Sequence, residues 1–358
     1  MRSLIRSILI AVCTLGLLAL FLRQVDLREV VREIGRAEPL ALVGALVATA
    51  LNYFVRAIRW QVMLRPVGHA RFGTAFRTTI IGFAANSLLP GRVGEVLRPL
   101  LLARREGLRA TSAFATIILE RLLDLITVLA LFGALVFMSE SSFLARDPAL
   151  YASVKYGGGV AAALSAAALI FVFLMAGHPE RLGRLVRESE RWLPARLAHA
   201  LAHALETFAS GLAVVRRPGP LVASLALSLP LWLSIASGIW LVSLAFHISV
   251  PFTGTFLLIA LLTVGVAVPT PGAVGAFHYA YKLGATVFFG ADPERAVGAA
   301  IVLHAISFVP VALVGLAFMV QDGIDLTRVR SMGRNGEPAE GGPDTPEPDR
   351  TPPEGRRA

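Results

Sequence analysis

Polar positions in this chain are gathered into short clusters, and long apolar stretches run between them. Six apolar runs, 4–22, 39–63, 111–138, 156–176, 219–247 and 295–321, approach the ~20 residues that a helix needs to cross the hydrocarbon of a bilayer. Two further apolar segments, 76–102 and 253–290, are interrupted. The first holds NSLLPGRVGEVLRP (86–99) and the second VPTPGAVGAFHYAY (268–281), and both centre on Pro-Gly-x-Val-Gly. The breaks are Pro90, Gly91 and Gly94 in one segment and Pro271, Gly272 and Gly275 in the other. A proline and two glycines in five residues break or strain a helix. Non-helical backbone at membrane depth is tolerated only where protein buries it or water lines it. The pattern predicts an all-α polytopic membrane protein of about six full spans plus two re-entrant, Pro-Gly-broken hairpins. Corresponding breaks in two halves of a chain point to an inverted pseudo-repeat with a site at the repeat interface.

The arginines orient these segments, because cytoplasmic loops carry the excess of basic residues. Arg2 and Arg6 place the N-terminus in the cytoplasm. Arg65, Arg71 and Arg77 on one side and Arg104, Arg105 and Arg109 on the other bracket the first broken segment, so it enters from the cytoplasm and returns there. Residues 23–38, where four arginines mix with Asp26, Glu29, Glu33 and Glu38, are read as outside, as is the arginine-poor stretch 139–155. The arginine-rich stretch 178–217 lies inside; its apolar residues recur at helical spacing and read as interfacial helices on anionic lipid. The second broken segment then enters from the outer face. Arg328, Arg330 and Arg334 keep the C-terminus inside, and residues 331–358, rich in Pro, Gly and acids, read as a disordered cytoplasmic tail after a transmembrane domain over 1–330. The first apolar run reads as a retained signal anchor.

Composition agrees. Hydrophobic residues are 55% of the 358 and charged residues 16%, against about 25% charged in a soluble domain. The net charge of +10 does not imply nucleic acid, because the arginines sit at the ends of apolar runs and no DNA-binding motif accompanies them. The single cysteine, Cys13, rules out an intrachain disulfide or a thiolate metal site. His199, His203 and Glu206 share a helix face, but the string HALAH lacks the glutamate of the metalloprotease motif. Neither a metal nor a cofactor is expected, and no residue is expected to be catalytic.

Charge inside the apolar runs marks the candidate site. Glu120 lies about ten residues into its run, or ~15 Å at 1.5 Å per residue, near the midplane of a ~30 Å core. Glu120 and Asp124 share a helix face, with Arg121 beside them. An ionised side chain at that depth costs roughly 2.5–3.5 kcal/mol on insertion scales, so these groups face protein or water and have partners. They either pair with Arg92 or Arg98 to lock the hairpin to the helix or line the path of a polar head group, and the two roles are compatible. In the first hairpin Asn86, Arg92, Glu95 and Arg98 are the polar groups. A helix restarting after Gly91 aims free N–H groups at the cavity, an anion site in combination with Arg92. The second half offers Thr270, His278, Tyr279 and Lys282, with His278 and Lys282 on one face. The run 114–137 compares with 297–320, and the comparison sets His304 against Glu120. Arg56 and Arg59, with Trp60, read as snorkelling to the cytoplasmic head groups. The expected substrate-binding set is Asn86, Arg92, Glu95, Arg98, Glu120, Arg121, Asp124, Thr270, His278 and His304.

The strings RAIRWQVMLRP (56–66), NSLLPGRVGEVLRP (86–99), ERLLDL (120–125) and PTPGAVGAFH (269–278) occur in the order found in the flippase-like membrane family that includes the transmembrane region of lysylphosphatidylglycerol synthases. The resemblance covers about residues 5–322. It implies a multi-pass protein of the bacterial inner membrane that moves a lipid, anionic or phosphate-bearing, between leaflets. His278 stands where many members carry Glu, and His304 where many carry Arg. Only a short tail follows Gln321, so aminoacyl transfer is not expected. The rival readings are a membrane transferase acting on a phospholipid or polyprenyl phosphate, and a non-transporting partner of a cell-envelope complex or homo-oligomer.

Overall fold

A computed structural model describes residues 21–22, 26–89, 92–138, 148–177, 217–268 and 270–324. Every regular element among them is helical. The helices are α1 (Leu27–Arg36), α2 (Pro39–Leu64), α3 (Phe72–Leu88), α4 (Val93–Glu106), α5 (Ala110–Met138), α6 (Pro148–Gly177), α7 (Pro218–Ala245), α8 (Gly254–Ala267), α9 (Ala276–Phe289) and α10 (Pro293–Gln321). A 3-10 turn, Pro271–Ala273, joins α8 to α9. Helices α2, α7 and α10 are long and apolar enough to cross a membrane.

Helix starts follow local chemistry. Asp26 caps α1 by accepting from the Arg28 N–H, and Asp292 caps α10 by accepting from the Glu294 N–H. Helices α2, α7 and α10 each begin with a proline, whose missing N–H costs nothing at that position. Within each hairpin the arms touch backbone to backbone. A Cβ on Gly82 of α3 would sit 3.1 Å from the Gly94 carbonyl oxygen, and a Cβ on Gly265 of α8 would sit 2.8 Å from that of Ala276.

The chain divides into two sets of four helices, α2–α5 and α7–α10, with matching packing. Helix α2 packs on α7. In the first set α3 packs on α4 and α4 on α5; in the second α8 packs on α9 and α9 on α10. The sets are also interlocked, since α3 packs on α10 and α8 on α5. Helices α5 and α10 are both 29 residues long. The open ends of the two hairpins lie at opposite ends of α10. Beside its last turn, Arg77 and Arg105 at the base of α3–α4 both pair with Asp322. At its first turn, α9 leads directly into Pro293, and the site of a Cβ on Gly254 at the start of α8 is 2.7 Å from the Phe289 ring.

The apolar core gathers around the second set. Ile239 and Val242 of α7, Leu257 and Leu258 of α8, Tyr281 and Phe288 of α9 and Leu303 of α10 are buried together with Val128 and Leu135 of α5.

Two segments read only as lying outside are helical: residues 27–36 form α1, and residues 148–155 form the start of α6. The expected span 4–22 apart from its last two residues, Cys13, Pro90, Gly91, the amphipathic stretch 178–217 apart from Arg217, with His199, His203 and Glu206, and the tail 331–358 lie outside the described residues.

Candidate functional site

Three helices bring charge into one buried cluster. Helix α2 contributes Arg56 and Arg59, one turn apart; α4 contributes Arg98; α5 contributes Glu120 and Asp124, four apart on one face. Arg56 Nη1 and Arg98 Nη1 each donate to Glu120 Oε1 at 3.0 Å, and Arg59 Nη2 lies 3.6 Å from the same oxygen. Asp124 Oδ1 is 2.7 Å from Arg59 Nη1, and Asp124 Oδ2 is 3.3 Å from Arg56 Nη1. Helix α7 closes the cluster: the Trp232 indole N–H donates to Asp124 Oδ1, and Arg59 Nη1 donates to the Ser228 hydroxyl at 2.8 Å. The Arg98 guanidinium carbon is 3.9 Å from the centre of the Trp60 ring, a cation–π stack, and the Trp60 N–H donates to Thr116.

Arg59 and Glu120 are both 0% exposed. The expectation that Arg56 and Arg59 snorkel to the surface is therefore overturned. Both stop short of the end of α2, which runs on to Leu64, and two acids on α5 supply short charge-assisted hydrogen bonds within their reach. Trp60 is buried with them. Arg121 and Glu95 form the rim. Both are partly exposed and pair at 3.5 Å, and Arg121 also lies 3.8 Å from Asp124.

A second grouping lies where the two breaks meet. Arg92, the N-cap residue of α4, holds a left-handed backbone at φ 54°. Its Nη2 donates to the Val266 carbonyl near the end of α8 at 2.7 Å, and its Nη1 lies 3.7 Å from Glu95. Asn86 Oδ1 accepts the Gly94 N–H at 2.8 Å, so a backbone donor at the helix restart is already used. Arg92 and Arg98, both in the expected substrate-binding set, thus have different partners. A Cβ on Gly272 would sit 3.3 Å from the Ser87 carbonyl oxygen, so the two tips touch. The Thr270 hydroxyl at this junction is buried without a hydrogen-bond partner.

The third grouping is an imidazole pair. His278 of α9 and His304 of α10 have ring centres 4.5 Å apart, flanked by Phe21, Phe277 and Phe308. His304 Nε2 is 2.7 Å from the Gly272 carbonyl, which can only accept, so that nitrogen carries the proton. The Gly275 N–H points at His278 Nδ1 over 3.4 Å. Lys282 donates to the Phe21 carbonyl, and Tyr279 is only partly buried. Read without gaps, the runs 114–137 and 297–320 set Arg121 opposite His304 and Glu120 opposite Leu303, which corrects the expected pairing.

The ten expected site residues thus fall into the cluster and its rim (Arg98, Glu120, Asp124, Glu95, Arg121), the junction (Asn86, Arg92, Thr270) and the imidazole pair (His278, His304). Sequence reasoning missed Ser228 and Trp232 and misplaced Arg56, Arg59 and Trp60. The available signal was two arginines three apart inside an apolar run, with Ser224 and Ser228 of α7 four apart.

The chain resembles known proteins over most of its length. Glycosyltransferase AglD of Haloferax volcanii is 23% identical over 347 residues, which cover 91% of this chain and 55% of AglD. A UPF0104 membrane protein of Methanothermobacter thermautotrophicus is 26% identical over 331 residues, 87% of this chain and 93% of that protein. The chain therefore spans about half the length of AglD and nearly all of the UPF0104 protein. The model of the lysylphosphatidylglycerol synthase TM region matches residues 4–315. With apolar helices long enough to span and a family match over most of its length, this chain is a multi-pass membrane protein that belongs to the lysylphosphatidylglycerol synthase TM region family.

Proposed function

We propose that this protein moves a polar-headed lipid between the leaflets of a bacterial inner membrane, with both termini in the cytoplasm. The observation that carries the reading is the buried charge cluster, set between two interlocked sets of apolar helices. Glu120 lies ten residues from the start of α5, or ~15 Å, near the middle of a ~30 Å hydrocarbon core. An ionisable residue at that depth is by default read as marking a substrate or ion path, a role compatible with locking the hairpin to the helix. The two four-helix sets act as an inverted repeat. Support comes from their reciprocal packing and from hairpins that open at opposite ends of α10 while their tips touch. Helices α4, α8 and α9 have 14 residues each, or ~21 Å, short of a full crossing and matched to re-entrant hairpins. The head group passes between the hairpins while the acyl chains stay in lipid, and the stretch 178–217 rests on anionic lipid at the cytoplasmic surface.

The test is head-group movement of labelled lipids in proteoliposomes, with an anionic phospholipid, an aminoacylated one and a polyprenyl phosphate. Movement of one class is expected. Folded protein that moves none of them overturns the reading. A second reading, a transferase acting on lipid, draws on the name of AglD, of which this chain covers 55%. A new lipid species, found by mass spectrometry after incubation with lipid and sugar donors, would favour it.

A further inference from the structure

Two imidazole rings hold the turn between α8 and α9. The backbone there has positive φ at Gly272, Ala273 and Gly275, of 59°, 57° and 88°. That conformation is unfavourable for Ala273, so the turn persists only where its surroundings hold it. His304 of α10 donates from Nε2 to the Gly272 carbonyl at 2.7 Å, and His278 of α9 accepts the Gly275 N–H at Nδ1 over 3.4 Å. A neutral imidazole carries one proton. These contacts put it on Nε2 in both rings. In His304 the other nitrogen, Nδ1, keeps a lone pair; in His278 the lone pair of Nδ1 is in use.

The same contacts decide where a further proton goes. On His304 it enters at Nδ1 without displacing the bond to Gly272. That bond becomes charge-assisted, roughly twice as strong as a neutral one. The His304 ring stacks on Phe308 with centres 4.4 Å apart, and an aromatic face attracts a cation. On His278 the proton would turn Nδ1 into a donor facing the Gly275 N–H. His278 is buried and His304 only half-buried. With ring centres 4.5 Å apart, two charges would repel at close range, so the stacked pair holds one proton.

The other titratable groups near the pair are engaged elsewhere. Helices α7 and α8 carry none. On α9, Tyr281 shares a hydrogen bond with Ser243, Lys282 donates to the Phe21 carbonyl, and Tyr279 is partly buried. On α10, Glu294 and Arg295 lie in the first turn, ~13 Å before His304. Of the charged residues of α1 (Arg28, Glu29, Arg32, Glu33 and Arg36), Glu33 meets α10, at Arg295. Arg77 of α3 pairs with Asp322 beyond the last turn of α10. From α2, Tyr53 donates to the Ser307 carbonyl, and Arg56 and Arg59 are taken by the acids of α5. Arg92 at the junction is tied to Val266 and Glu95. Among the described residues the histidine paired with a carboxylate is His247, not either member of this pair.

We propose that His278 and His304 form a site for a single proton, carried on His304 Nδ1, and that this proton tightens the second hairpin tip against α10. The site deepens the transport reading by supplying a coupling ion, and rests on it for that use alone. The test reads the tip directly. In the full chain in neutral detergent, with Cys13→Ser, the maleimide reaction rate of Ala273→Cys is divided by that of Ile324→Cys at each pH. The ratio is expected to fall about fivefold from pH 8 to pH 4.5, as a neutral bond becomes charge-assisted. His304→Gln, which keeps an N–H for Gly272 and cannot take the proton, is expected to flatten the profile; His278→Gln is expected to retain the fall. A flat or rising profile in the parent chain overturns the site. A fall that survives in folded His304→Gln, or is lost in folded His278→Gln alone, overturns the assignment to His304. Ring nitrogen chemical shifts of the parent chain against pH need no histidine variant to fold. One proton taken up by the pair is expected, and two or none overturns the proposal. Neither measurement depends on lipid movement. A tip that tightens on acidification in a protein that moves no lipid would sink the transport reading alone; lipid movement with a pH-indifferent tip would sink the proton site alone.

Discussion

Two guanidinium groups donate to one oxygen of Glu120 and a third lies near it, so all three depend on that one carboxylate. Removing one partner of a buried ion cluster leaves a charge that neither water nor protein compensates. Glu120→Gln is therefore expected to lower the unfolding free energy by about 3–5 kcal/mol. Arg121→Gln, at a side chain 41% exposed, is expected to cost under about 1 kcal/mol. Denaturant unfolding in micelles checks both, and similar losses for the two would show that burial does not set the energetics here. Glu120, Asp124 and Arg98 were legible in the sequence because a charge within an apolar run has to find a partner. Arg56 and Arg59 were legible as charges but not in their role. An arginine near a helix end looks the same whether it snorkels or turns inward, and only the acids of α5 decide between the two. The left-handed backbone of Arg92 and the capping by Asn86 were not legible, since both depend on how the chain returns after Pro90 and Gly91.

Helix α1 was missed because half of its ten residues are charged and it lies between two apolar runs; what orders it is a partner far along the chain. Glu33 is held between Arg36 and Arg295, each at 3.0 Å. Burial pushes its carboxyl upward, but the hydrogen bonds from Arg295 and Arg36 outweigh it and hold the group below the ordinary carboxylate range. A depressed pKa contributes stability that is present above the unfolded value, near 4.3 for glutamate, and is lost as pH falls through the folded value. The docking of α1 on α10 is thus expected to hold at neutral pH and to loosen on acidification, with Glu33→Gln loose throughout. Amide hydrogen exchange in α1 against pH measures this; protection unchanged into strong acid would remove the ion pair from the account. The contact of α3 with α10 depends instead on a missing side chain. A Cβ on Gly315 would lie 2.9 Å from the Ile80 carbonyl oxygen and collide with Ala84. Gly315→Leu is expected to destabilise the protein by about 1–3 kcal/mol, and a neutral effect by thermal unfolding would mean that this interface yields. The apolar runs themselves predicted most helices well, because length and hydropathy suffice for them. Which helix of one set packs on which of the other was not in the periodicity.

On the scale of the whole molecule, three facts bear together on how the hairpins lie in a bilayer. Three of their four arms have 14 residues, their open ends sit at opposite ends of α10, and their tips touch through Gly272 and Ser87 and through Arg92 and Val266. Were both hairpins pairs of full spans entering from opposite faces, their tips would stand a whole hydrocarbon core apart, ~30 Å. On the proposed reading, contact between the tips has both hairpins turning back inside the hydrocarbon core, where irregular backbone survives when protein buries it or water lines it. Ala273, 7% exposed, is the place to measure this. In a Cys13→Ser background, Ala273→Cys is expected to react with a membrane-impermeant maleimide far more slowly than Ala291→Cys does from the outer face or Ile324→Cys from the cytoplasmic face. Adding Arg92→Ala, which cuts the side-chain tie between the tips, is expected to speed the reaction at 273 and leave the two reference positions unchanged. A thiol at 273 that reacts from the cytoplasm as fast as one at 324 would place the second tip at the membrane surface and make its arms full spans. A rate at 273 indifferent to Arg92 would mean that the tie does not close the junction, and that whatever passes between the two halves does so elsewhere.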